Sequence, residues 1–103
     1  MIKQGTNKPI IIVLDAEPVD IAVTLHNEIT TLKHWNMADL TAGEDGHTFR
    51  ADYTQQESAA WEEGPCEIEI RWTDADGIVH KREISENVEW TKDQTVLATE
   101  EET

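Results

Sequence analysis

An all-β fold is predicted for this 103-residue chain by three observations: stretches of apolar and polar residues in strict alternation, turn signals roughly every ten residues, and hardly any helical period. The alternation is cleanest in CEIEIRW, where Cys66, Ile68, Ile70 and Trp72 fall on one side and Glu67, Glu69 and Arg71 on the other. That is the pattern of a strand with one face in a core and an acidic face in water.

The elements follow in order. After the polar opening IKQGTNKP, the run Ile10 to Leu14 is continuous and β-branched, which predicts a strand with little solvent on either face. From Asp20 the chain alternates, with Ile21, Val23 and Leu25 opposite Ala22, Thr24 and His26, a half-buried second strand. Between Glu28 and Leu40 neither period holds, and a strand is placed around Thr30 to Trp35. TAGEDG, Thr41 to Gly46, has the small and acidic residues of a turn, and HTFRADY then sets Phe49, Ala51 and Tyr53 on one face.

TQQE, Thr54 to Glu57, fits a capping box, in which the Thr54 hydroxyl accepts from an amide of the first turn and the Glu57 carboxylate reaches back to the Thr54 amide. One or two helical turns should follow, stopped by Gly64 and Pro65. CEIEIRWT is then a strand, and DADG, Asp74 to Gly77, suits a type I turn running into a left-handed glycine. The return strand IVHKREI has no clear facing, and Val88 with Trp90 indicates a last short strand. The sum is six or seven short strands with one short helix between two of them, an antiparallel, immunoglobulin-like β-sandwich. It forms a single domain over 1–97, followed by an acidic disordered tail, 98–103.

Composition narrows the function. Twenty-two acids against eight Lys and Arg give a net charge of −14, whose field repels phosphate and anionic lipid, so neither nucleic acid nor membrane is an expected partner. The longest apolar run is too short for a bilayer span or a secretory signal, and the chain is expected to start at its natural Met1 without a signal peptide. The single cysteine, Cys66, opens the apolar face of a strand beside Glu62, Glu63 and Glu67, a setting for an inert thiol and not for a nucleophile.

No reactive constellation stands out. Asp74 and Asp76 of DADG resemble the start of a calcium loop, but the third oxygen ligand and the closing glutamate are missing, and GEDG at Gly43 to Gly46 lacks them too. His26, His34, His47 and His80 lie on separate elements with no zinc spacing. Ser58 and Ser85 sit in no nucleophile elbow. The expectation is a protein with no catalytic, cofactor-binding or metal-binding residues.

Several pieces in order carry a likeness: IKQGT at the start, YTQQESAAWEEGPCEIEIRW from Tyr53 to Trp72, the DADG hairpin, then Ile84 and Val88. In these the chain resembles small prophage-encoded proteins similar to the N-terminal domain of the upper baseplate protein of tailed phages that infect Gram-positive bacteria. The likeness spans roughly Ile2 to Leu97, with Trp61 in place of Phe and Cys66 in place of Val, and leaves out Glu28 to Gly46. It implies a β-sandwich in the virion, made in the bacterial cytoplasm, with a structural or assembly role in the tail and no catalysis. Other phage tail or baseplate proteins would be its partners, with homo-oligomers also open.

Two other functions fit the same features. Four tryptophans, Trp35, Trp61, Trp72 and Trp90, could form the platform of a free-standing immunoglobulin-like adhesion or carbohydrate-binding module if they line a groove. The acidity would suit an inhibitor that captures a basic or DNA-binding host protein.

Overall fold

A computed structural model describes residues 1–89; Trp90 and the expected tail 98–103 lie outside the described residues. Within them the fold is all-β, two facing sheets with one short helix. The strands are β1 (Ile2–Lys3), β2 (Ile10–Val13), β3 (Asp20–His26), β4 (Thr31–Trp35), β5 (Thr41–Ala42), β6 (Thr48–Ala51), β7 (Gly64–Thr73) and β8 (Val79–Glu89). A 3-10 turn, Met37–Asp39, follows β4, and helix α1 (Gln55–Ala60) joins β6 to β7. The larger sheet has the order β1-β8-β7-β3-β4, and the smaller one β2-β6-β5.

The alternating segments are the centre of the molecule. Along β3 and β7 the register sets Ile21 against Trp72, Val23 against Ile70 and Leu25 against Ile68, so both strands turn one apolar row to the smaller sheet. Ile12, Phe49 and Ala51 answer from that sheet, and all are buried. Trp35 lies at the centre, 1 % exposed, its indole N–H donating to the Asp52 carbonyl at 2.7 Å. Removing a side chain such as Ile70 or Val23 from water contributes about 1.5–3 kcal/mol each.

The capping box forms as the sequence predicts. Thr54 Oγ1 accepts from the Glu57 N–H at 3.0 Å, and a Glu57 carboxylate oxygen accepts from the Thr54 N–H at 2.8 Å. Glu57 also accepts from Lys33 Nζ, which ties the helix to β4. Two buried polar side chains fasten the opening segment to this corner: Gln4 Nε2 donates to the Trp61 carbonyl, and Ser58 Oγ donates to the Thr6 carbonyl.

Five expectations are corrected. The run from Ile10 is not buried on both faces: β2 is the edge of the three-stranded sheet, and Ile11 and Val13 point away from the core, 57 % and 54 % exposed. The opening is not merely polar, because Ile2 and Lys3 pair with Val88 and Glu89 in parallel, the one departure from antiparallel pairing among the described strands. Gly64 and Pro65 do not stop the helix; it ends at Ala60, where Trp61 drops into the core, and both residues open β7. Val88 belongs to no separate strand, since β8 runs unbroken through eleven residues. The described strands therefore number eight, because two-residue pairings such as β1 and β5 carry no periodicity of their own.

Candidate functional site

The hairpin β7–β8 contains the two longest described strands and leaves one of them at the outside of the larger sheet over most of its length. Its tip follows the sequence prediction: Gly77 has φ +82°, its N–H donates to the Asp74 carbonyl at 3.0 Å, and the Asp74 N–H donates to the Ile78 carbonyl at 2.9 Å. The Asp74 carboxylate accepts from the amides of Asp76 and Ile78 and lies 2.8 Å from His80 Nε2. Contact with His80 and those amides holds its carboxyl below the usual range. These oxygens brace the turn. Asp45 of GEDG is used the same way, accepting from Thr48 and from the His47 amide.

Past the tip, β7 and β8 pair residue by residue from Thr73 and Val79 to Gly64 and Val88 with no register shift. In an antiparallel ladder each residue directs its N–H and C=O to one neighbour, and the next residue directs its own to the other side. Ile78 bonds toward β7, so its even-numbered successors do so too, and Lys81, Glu83, Ser85 and Asn87 aim their main-chain groups outward. The far end confirms the phase: the Glu89 carbonyl accepts from the Gln4 N–H at 3.0 Å, on the β1 side.

Among the described residues only β1 pairs with that outer edge, in register with Val88 and Glu89. In this parallel register the Asn87 carbonyl also accepts from the Ile2 N–H, so among the described residues the edge is open from Val79 to Glu86. Every residue from Val79 to Ser85 is exposed. Arg82 and His80, which share a face with the core row, lean on the half-buried Trp72: His80 stacks on it at 5.3 Å, and the Arg82 guanidinium lies 5.5 Å from its ring. Arg82 also reaches the Val13 carbonyl at 3.4 Å.

The other edges are smaller. β4 has five residues and a bulge against β3 at Leu25 and His26, and β2 has four. Between β2 and β1 a cleft of about 620 Å³ is lined by Lys3, Lys8, Tyr53, Ile68 and Glu86.

The remaining residues singled out in the sequence stay apart. His26 lies 3.6 and 3.9 Å from Glu67 and Glu69 on the outer face, His34 bonds to Thr24 and Asn36, and His47 sits by Asp45. No group of three or more His, Cys, Asp or Glu is gathered for a metal among the described residues. Cys66 is buried, and burial together with the charge of Glu86 pushes its thiol pKa up. Trp35 and Trp61 are core, so they line no groove.

Sequence reasoning passed over the open edge, although the signal was present. IVHKREI could not be assigned a facing because neither side of it is buried, and a strand with polar groups on both faces and a run of Lys, Arg and Glu is an edge strand. No protein-family model matches the chain, and no curated protein or solved structure matches it significantly.

Proposed function

We propose that this protein is a non-enzymatic docking and assembly module whose contact is strand addition at the open edge of β8, and that it works among the tail or baseplate proteins of a phage. The edge carries the first part of the reading. Eight consecutive residues, Val79 to Glu86, have no described strand beside them, and main-chain hydrogen bonds offered in a row are the recognition element of strand addition. The likeness of Tyr53 to Trp72 and its flanking pieces to baseplate-associated proteins supports the second part. The burial of Trp35 and Trp61 weighs against a stacking platform for sugars.

Tagged protein expressed during induction of the phage should co-purify with virion proteins identified by mass spectrometry. A preparation free of them overturns the phage part. Ser85→Pro should abolish the association, since it removes an outward N–H and leaves the β7 ladder intact; association unchanged by it overturns the edge.

A further inference from the structure

We infer that the cleft between β1 and β2 is the docking site of the chain's own C-terminal segment, with Val96 and Leu97 against its apolar wall and Glu100 to Glu102 beside Lys3 and Lys8. This goes beyond the docking reading of the β8 edge and does not rest on it.

Charge marks the cleft out. In a chain of −14 most cations of the described residues are committed: Lys33, Arg50, Arg71 and Lys81 each contact a carboxylate, and Arg82 lies over Trp72. Lys3 and Lys8 contact no carboxylate among the described residues, and both line this cleft. The one acid in its lining, Glu86, is already contacted by the Met1 amino group. Two uncommitted positive charges thus border an opening of about 620 Å³ whose other walls include Ile2, Ile10, Tyr53 and Ile68. The occupant that complements it is apolar with a negative end.

The chain supplies such a piece, and in the right place. Glu89 lies in register with Lys3, so the polypeptide leaves β8 at the border of the cleft. Past Glu89 the sequence reads WTKDQTVLATEEET. Val96, Leu97 and Ala98 are the only consecutive apolar residues in it, and Glu100, Glu101 and Glu102 are the only three consecutive acids in the whole chain. From Glu89 to Val96 the chain can extend about 25 Å, whereas the cleft begins one strand spacing away, about 4.8 Å. A tether this short sets an effective concentration on the order of 1 mM, enough to hold a contact too weak to capture a free peptide. The run of glutamates, which composition alone reads as part of a disordered tail, gains there the counter-charges that the rest of an acidic surface does not offer.

A nitroxide spin label attached to the full chain through Thr99→Cys tests the contact, since the native thiol of Cys66 is buried. The amide signals of Lys3, Lys8 and Ile10 should lose most of their intensity, while those of Thr31 to Trp35, at the far edge of the larger sheet, should keep theirs. Leu97→Asp in the labelled chain should bring the lost signals back. So should Lys3→Glu combined with Lys8→Glu, two exposed positions whose exchange leaves the core untouched. Full intensity at Lys3, Lys8 and Ile10 in the labelled chain overturns the inference, and so does broadening that survives either variant. Isotope-enriched chain without a label, mixed with labelled chain, should show no loss of intensity. A loss there places the segment in the cleft of a second copy, and the contact within one chain falls.

Discussion

β7 has two neighbours of similar extent, and they are held to it by different means. On one side β3 alternates buried and half-buried residues after Asp20, with Ile21, Val23 and Leu25 in the core. On the other β8 is paired through ten registered residues, yet Val79 to Ser85 are exposed whichever way they face. β3 is held by burial and β8 by its ladder, the hairpin turn and Val88. A sheet can thus extend past its core, and there side-chain identity is freed from packing. Charge pattern, edge exposure and the row of outward main-chain groups can then serve contact with other molecules.

The largest effect that would break this contrast is a truncation on each side. Ile70→Ala, at a side chain with no exposure, should cost about 3 kcal/mol in urea unfolding, whereas Ile84→Ala on β8 should cost less than about 1 kcal/mol at concentrations where the chain is monomeric. Equal losses would show that β8 is packed after all. Next in size is the helix cap. Thr54→Ala should remove about 1 kcal/mol, because the Glu57 amide loses its acceptor.

A smaller, pH-dependent effect sharpens the contrast at the opposite edge. Burial works to raise the Glu57 carboxyl, but the hydrogen bonds from Lys33 and Thr54 outweigh it and hold the pKa below the usual 4.5. A carboxyl depressed by folding adds stability above its unfolded pKa and loses that contribution as pH falls through the folded value. Unfolding midpoints should therefore drop below pH 4.5, and Glu57→Gln should flatten part of the drop, a modest part because this side chain is over one-third exposed. A profile of the same shape in the variant would show that the pair contributes nothing. Smallest is salt: a chain of −14 repels itself, so moderate salt should raise the melting temperature of the monomer by a few degrees or so, measured by calorimetry.

What could be read from the sequence follows the same division. The β3 and β7 alternations, the Phe49–Ala51–Tyr53 face, the Thr54 box and the Asp74–Gly77 turn are local signals with local causes, and each appears where its residues place it. Features set by partners distant in sequence were not legible. Ile2 and Lys3 become a strand only because Val88 and Glu89 lie beside them, and the two-residue β5 exists by its pairing to β6. Ile11 and Val13 read as core by composition, although among the described residues nothing covers their outward face. The candidate site was hidden for the same reason. An edge is defined by an absent neighbour, and IVHKREI announces it only as a lost period.

The parallel pairing of β1 with β8 bears on mechanics. Residues 2 and 88 lie side by side and point the same way, as do 3 and 89. Tension drawing the beginning of this stretch and its end in opposite directions slides one strand along the other, loading the Gln4–Glu89 bond and its neighbours at once instead of peeling them singly. β1 and the end of β8 thus form a small shear clamp, which resists such tension better than a hairpin that opens one bond at a time.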